Sequence, residues 1–186
     1  MSIRTSVLLP ALLSALLYAS ASHSQTLTIA GGQTIGSSRT EHDAYRMEAN
    51  FAWKPEFWAK GHWALSLNHA LGIVTFRARN NVNAISWAPN IVFAPRTRIG
   101  TYPYLQLSFG AAYLSDDQLE SEADQASVSP AVTEMGSHGQ FESGLALGLI
   151  NRQFSIRAKV YHYSNASFAH NNDGMDVMEF GLSYSF

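Results

Sequence analysis

The feature that most restricts how this chain can fold is a period of two. Residues 154–186 hold two alternating runs around a polar loop. In the first run Phe154, Ile156, Ala158 and Val160 share one face, against Ser155, Arg157, Lys159 and Tyr161. In the second, Met178, Phe180, Leu182, Tyr184 and Phe186 oppose Glu179, Gly181, Ser183 and Ser185. Successive strand side chains point to opposite faces, so each run has one apolar and one polar side. Asn172-Asp173-Gly174 is a turn signal and puts the connection at residues 166–174.

The same period recurs upstream: weakly at 25–36, then at 44–54, 62–72, 84–94, 103–114 and 136–149. Residues 37–42, 55–61, 73–83, 95–102, 115–135 and 150–153 read as turns and loops. The longest of these, 115–135, is acidic, and 73–83 carries Arg77 and Arg79. Pro89 removes a ladder donor, so a bulge or irregularity is expected there. The count comes to about eight strands of roughly 9–12 residues, long enough to cross a tilted bilayer path.

Composition decides what such strands build. Charged residues are 14% of the chain, against about 25% in ordinary soluble proteins, and mean hydropathy is −0.07. Membrane helices would be far more apolar; a barrel with one face in lipid and one polar face fits. The expected fold is all-β, an eight-stranded antiparallel transmembrane β-barrel of the outer membrane. Its polar faces would gather Arg46, Arg157 and Lys159 with Glu48, Glu142 and Glu179, pairing across a narrow interior. Trp53, Phe57, Trp58 and Trp63 cluster at one turn and Tyr102 and Tyr104 at another, as in interfacial aromatic belts. A soluble ligand-carrier barrel with an apolar interior shares the alternation and is the alternative. The terminal Phe186, on an alternating last strand, resembles the C-terminal signature of outer-membrane barrels.

Residues 1–24 read as a secretory signal: Arg4, an apolar run from Val7 to Tyr18, then Ala19-Ser20-Ala21, with cleavage near 21 or 24. Residues 25–186 are then one barrel domain. The apolar run is too short for a membrane anchor of about 20 residues. Even strand number puts both termini on one side, and short turns mark the periplasmic side. The loop at 166–174 then lies at the extracellular rim, facing the outer leaflet. A formal net charge of −2 and no basic cluster exclude nucleic-acid binding as a reading. There is no cysteine, hence no thiolate chemistry. The seven histidines lack metal-ligand spacing, so no metal and no cofactor are expected. His69 interrupts an apolar stripe and reads as an interfacial residue.

Parity singles out three polar residues. His162 and Ser164 fall on the apolar face of one strand and Asp176 on the apolar face of the next. Two residues along a strand span about 6.6 Å and neighbouring strands lie about 4.8 Å apart, so the three side chains can meet. A hydroxyl, an imidazole and a carboxylate aimed together suit nucleophilic catalysis, the acid fixing the tautomer of the base. Rim residues that bind water or lipid headgroups are the plainer reading, because His-x-Ser alone is a weak motif.

The run His162-Tyr163-Ser164-Asn165-Ala166, with Asn172-Asp173-Gly174 and an acid at 176, resembles the lipid A 3-O-deacylase family of Gram-negative outer membranes. The resemblance is close over the last 30 or so residues, looser from Trp87 onward, and architectural before that. It implies a metal-free Ser-His-acid esterase on the outer wall of an eight-stranded barrel, removing the acyl chain ester-linked at position 3 of lipid A. Carried over, Ser164 is the nucleophile, His162 the general base and Asn172 the oxyanion donor. Asn165 matches a second family asparagine, with loop support or direct catalysis as its role. The family's Glu falls on Asp176, one methylene shorter, which implies closer strands or a weaker contact; Glu179 faces the lumen and is no replacement. The implied partners are lipid A or lipopolysaccharide and the outer membrane, and a homodimer is left open. A non-enzymatic barrel serving structure or adhesion, and an esterase of phospholipids, are the rival functions.

Overall fold

The computed structural model describes residues 25–36, 40–97, 99–121, 131–169 and 172–186. The expected signal segment lies outside them. Eight strands close into an antiparallel barrel: β1 (Gln25–Ile35), β2 (Asp43–Lys60), β3 (Trp63–Arg77), β4 (Val82–Pro95), β5 (Thr101–Leu114), β8 (Gly139–Asn151), β9 (Phe154–Ser164) and β10 (Met175–Ser185). Each pairs with its neighbour in the chain, and β1 closes on β10 from Thr26↔Ser185 to Ile35↔Asp176. Closure leaves no unpaired sheet edge in the barrel wall, which a lipid environment requires. Two short strands, β6 (Gln118–Glu120) and β7 (Val132–Glu134), form a separate hairpin inside the long connection between β5 and β8.

Burial runs opposite to that of a soluble protein. The apolar faces point outward: Phe109, Leu147, Phe180 and Leu182 are all more than 60% exposed. The polar faces point inward and are closed off. Arg46 grips Glu142 with two parallel bonds of 3.2 Å and reaches Glu179 through Nε at 3.1 Å. Arg157 donates to Glu48 at 2.6 Å and to Glu179 at 2.9 Å, and Lys159 donates to Glu142 at 3.1 Å. Every charge expected in the lumen is present there and paired. A charged interior with an apolar exterior excludes the apolar-lined soluble carrier. Gly72 makes room for this network, since a Cβ there would lie 2.8 Å from Ser86 Oγ and 3.2 Å from Arg46 Nη1.

One end of the barrel has compact turns at residues 61–62, 96–100 and 152–153, and both described termini. The other end has a short connection at 78–81 and the three longest ones, at 36–42, 115–138 and 165–174. That end is sealed by an apolar plug. Val74, Phe76, Val82, Leu114, Leu119, Met135, Tyr163 and Met175 pack there, each fully buried.

Several boundaries differ from the sequence reading. Residues 55–61 are not a turn: β2 runs on to Lys60, and the turn is Gly61-His62. Pro55 is absorbed because the register jumps from Lys54↔Leu67 to Trp58↔Leu65, looping out the residues between. Among the described residues β1 pairs with β2 no further along than Gln25↔Phe51, short of Pro55. Residues 73–83 are mostly strand, because at the plugged end the inward positions Val74, Phe76 and Val82 turn apolar and blur the alternation. Pro89 causes a gap rather than a bulge: Trp87↔Ala111 and Asn90↔Ser108 keep one register on either side of it. His69 stays on the outer wall, between Trp53 at 4.6 Å and Trp87 at 5.9 Å.

Candidate active site on the outer wall

The end of β9 and the start of β10 carry the three polar residues singled out by parity. Tyr161 and Tyr163 turn inward and are buried, so His162 and Ser164 must turn outward. On β10 the same alternation buries Met175 and Val177 and leaves Asp176 on the exterior. Asp176 and His162 are direct cross-strand partners. Their side chains meet, Nδ1 of His162 lying 2.8 Å from Oδ1 of Asp176, with the imidazole 43% and the carboxylate 33% exposed. Direct opposition across the ladder is why an aspartate, with its short side chain, reaches the ring.

Ser164 ends β9 beside Phe141 of β8. Its Oγ accepts two hydrogen bonds, from Asn172 Nδ2 at 2.9 Å and from the backbone N–H of Ala166 at 3.1 Å. No hydrogen bond joins it to His162. The structure thus brings the acid to the imidazole and the asparagine to the hydroxyl, and leaves these two pairs adjacent. Gly174, at φ +65°, lies under the imidazole: a Cβ there would sit 3.0 Å from His162 Cε1 and 3.6 Å from Nε2. The ring rests where only a residue without a side chain leaves space.

Asn165 points away from Ser164 Oγ. It is buried, donates from Nδ2 to Met135 O at 2.9 Å, and accepts the Ser167 N–H at 2.9 Å. Of the two roles left open by the sequence, its contacts are those of loop support. Ala166 and Ser167 both adopt positive φ, 53° and 65°, a region that costs a non-glycine residue about 1–3 kcal/mol. That turn is what aims the Ala166 N–H at the hydroxyl. Parity could not reveal it, because neither Ala nor Ser signals a left-handed turn. Glu179 lies in the lumen, as parity requires. Among the described residues no group of three or more His, Cys, Asp or Glu could hold a metal ion.

Residues 43–185 match the family described as lipid A 3-O-deacylase (PagL). The chain belongs to that family. The crystal structure of the outer membrane enzyme PagL superposes with a TM-score of 0.71 at 21% identity, covering 86% of this chain and 98% of that one. Neisserial surface protein A superposes with a TM-score of 0.51 at 10% identity, covering 88% of this chain and 97% of that one. At such identities these two likenesses speak for the fold, an outer-membrane β-barrel. No curated protein matches the chain. Family membership rests on a match that runs from the start of β2 to the end of β10 and includes the candidate residues His162, Ser164, Asn165, Asn172 and Asp176.

Proposed function

We propose that the chain is an outer-membrane esterase that removes the 3-O-linked acyl chain of lipid A, with Ser164 as nucleophile, His162 as base and Asp176 as its orienting acid. The observation that carries the reading is the 2.8 Å bond between His162 Nδ1 and Asp176 Oδ1 on a lipid-facing wall, one residue pair from a hydroxyl held by two donors. The family to which the chain belongs supplies the substrate class.

The geometry gives each group a task. With Nδ1 held by Asp176, the free nitrogen of the imidazole is Nε2, the one that accepts a proton. Rotation of Ser164 about χ1 carries Oγ from Asn172 and Ala166 toward that nitrogen. Oγ then attacks the ester carbonyl as its proton passes to Nε2. The two donors that Oγ has left, Asn172 Nδ2 and Ala166 N–H, converge on one point and are free for the oxyanion. Collapse of the tetrahedral intermediate breaks the bond to the sugar oxygen, which takes the proton from Nε2. Water then attacks the acyl-enzyme carbonyl as its proton passes to Nε2; the bond to Oγ breaks, Oγ takes the proton back from Nε2, and the fatty acid leaves.

The surroundings suit an acyl ester in a membrane. Rings of Phe109, Phe141 and Phe168 follow one another at 6.1 Å beside Ser164, and Phe168 is 84% exposed. The site lies at the end with the longer connections, which in outer-membrane barrels faces outward. In the proposed orientation the site lies beside the outer leaflet, where lipid A resides. The test is mass analysis of lipids from a Gram-negative host that expresses the protein. Lipid A lighter by one 3-O-linked acyl group, with phospholipids unchanged, supports the reading. Unchanged lipid A favours a non-enzymatic barrel, and loss of phospholipid acyl chains favours the alternative substrate.

A further inference from the structure

The connection bearing Asn172 is gripped from outside itself. Asp173 uses two atoms on one residue of β7: its N–H donates to Glu134 O at 2.9 Å, and its Oδ2 accepts the Glu134 N–H at 2.9 Å. At the other end of the connection, Asn165 Nδ2 donates to O of the next residue, Met135, at 2.9 Å. Both ends of the catalytic connection are therefore tied to two consecutive residues, Glu134 and Met135.

The hairpin that offers these partners is itself anchored. Leu119 of β6 and Met135 after β7 are fully buried in the apolar plug. Thr133 Oγ1 lies 2.8 Å from Thr40 Oγ1 in the β1–β2 connection. Asn80 Nδ2 donates to Gln118 O at 2.7 Å, and Arg79 N–H to Glu120 O at 3.1 Å, from the β3–β4 connection. All the other connections at this end thus meet on the β6–β7 hairpin.

We infer that the β6–β7 hairpin is the scaffold that fixes Asn172 against Ser164, and that Asp173 is the positioning residue through which it acts. The inference rests on the roles proposed above for Ser164 and Asn172. Two features demand such a scaffold. Consecutive positive φ angles at Ala166 and Ser167 persist only where surrounding contacts over-determine them. An oxyanion donor also works only within a narrow distance, and displacement by about 1 Å can cost about 100-fold in rate. Asp173 is the covalent neighbour of Asn172, so its hold on β7 sets where that amide lies.

The experiment compares wild type, Asp173→Ala, Asp173→Asn and Ser164→Ala as full-length folded barrels in lipid nanodiscs. It measures kcat and KM on lipid A, thermal unfolding, and amide hydrogen exchange. The expected result for Asp173→Ala is a kcat lower by about 10-fold or more, with KM and barrel unfolding unchanged and faster exchange at residues 165–169 and 172–174. Asp173→Asn keeps an acceptor oxygen and is expected to restore most of kcat and the slow exchange. Asp173→Ser, too short to reach β7, replaces the alanine variant if that one does not fold. Wild-type kcat in Asp173→Ala, an equal loss in Asp173→Asn, or unaltered loop exchange would overturn the inference. Full activity in Ser164→Ala would instead remove the catalytic reading, while the exchange comparison would still decide for or against the clamp.

Discussion

His162 and Asp176 are direct partners across the β9–β10 ladder, and their side chains close to 2.8 Å on the outer face of the wall. That pairing links strand register to chemistry. A one-residue slip of β10 would turn Asp176 into the lumen and leave the imidazole without its acid. The acid then has a strict geometric requirement, which the first prediction uses. Asp176→Asn keeps the shape but removes the charge that stabilises the imidazolium. It is expected to lower kcat by about 100-fold or more with KM little changed. Asp176→Glu adds a methylene to a contact already at hydrogen-bond length, so a smaller loss is expected. Steady-state kinetics on lipid A in mixed micelles checks both, and undiminished kcat in Asp176→Asn would contradict the proposed role.

Asn172 is the second test. Its Nδ2 approaches Ser164 Oγ at 2.9 Å, and its proposed task is to stabilise the oxyanion. Asn172→Ala is expected to lower kcat by about 100- to 1,000-fold, the range for loss of one such donor. Binding should change little, because the donor acts on charge that develops only in the transition state. Separate measurement of kcat and KM distinguishes this from a change in substrate affinity.

Gly174 provides a test that removes no reacting group. A methyl group there meets His162 Cε1 at 3.0 Å, and its backbone is at φ +65°. Gly174→Ala is expected to displace the ring and lower kcat by about 10-fold or more. The backbone strain costs about 1–3 kcal/mol in stability. Activity and thermal unfolding of the same preparation read the two effects separately.

The lumen network is expected to matter for stability rather than chemistry. Glu142 pairs with Arg46 and Lys159 and accepts the Tyr163 hydroxyl at 2.8 Å. Glu142→Ala leaves two buried cations short of a partner, and such a loss costs about 3–5 kcal/mol. Denaturant unfolding in micelles is expected to show it as a lower midpoint. Glu142→Gln, which keeps the shape and one acceptor, should lose less. An unshifted midpoint in Glu142→Ala would mean that the network carries little of the barrel's stability.

Much of this was legible in the sequence because a membrane barrel imposes one rule over most of its length. Where strands alternate cleanly, as from Phe154 to Phe186, parity assigned each side chain to lipid or lumen, and with it the exterior placement of His162, Ser164 and Asp176. The rule failed where its physical basis changes. Near the plugged end Val74, Phe76 and Val82 are apolar and yet face inward, so the alternation that marks a strand is lost there. At Pro55 a bulge hides the break that proline demands. The β6–β7 hairpin leaves no mark in the sequence because three-residue strands are too short to display a period. The Ala166 donor arises from backbone conformation, which its side chain does not encode. The contact between Asn172 and Ser164 is a matter of loop closure, which spacing alone does not fix.

The most direct measurement is release of free hydroxy fatty acid from purified lipid A by wild type and by Ser164→Ala, each shown to be a folded barrel. The proposed mechanism requires release by wild type and loss of nearly all of it in Ser164→Ala. Equal release by the two proteins, or none by wild type, would contradict it.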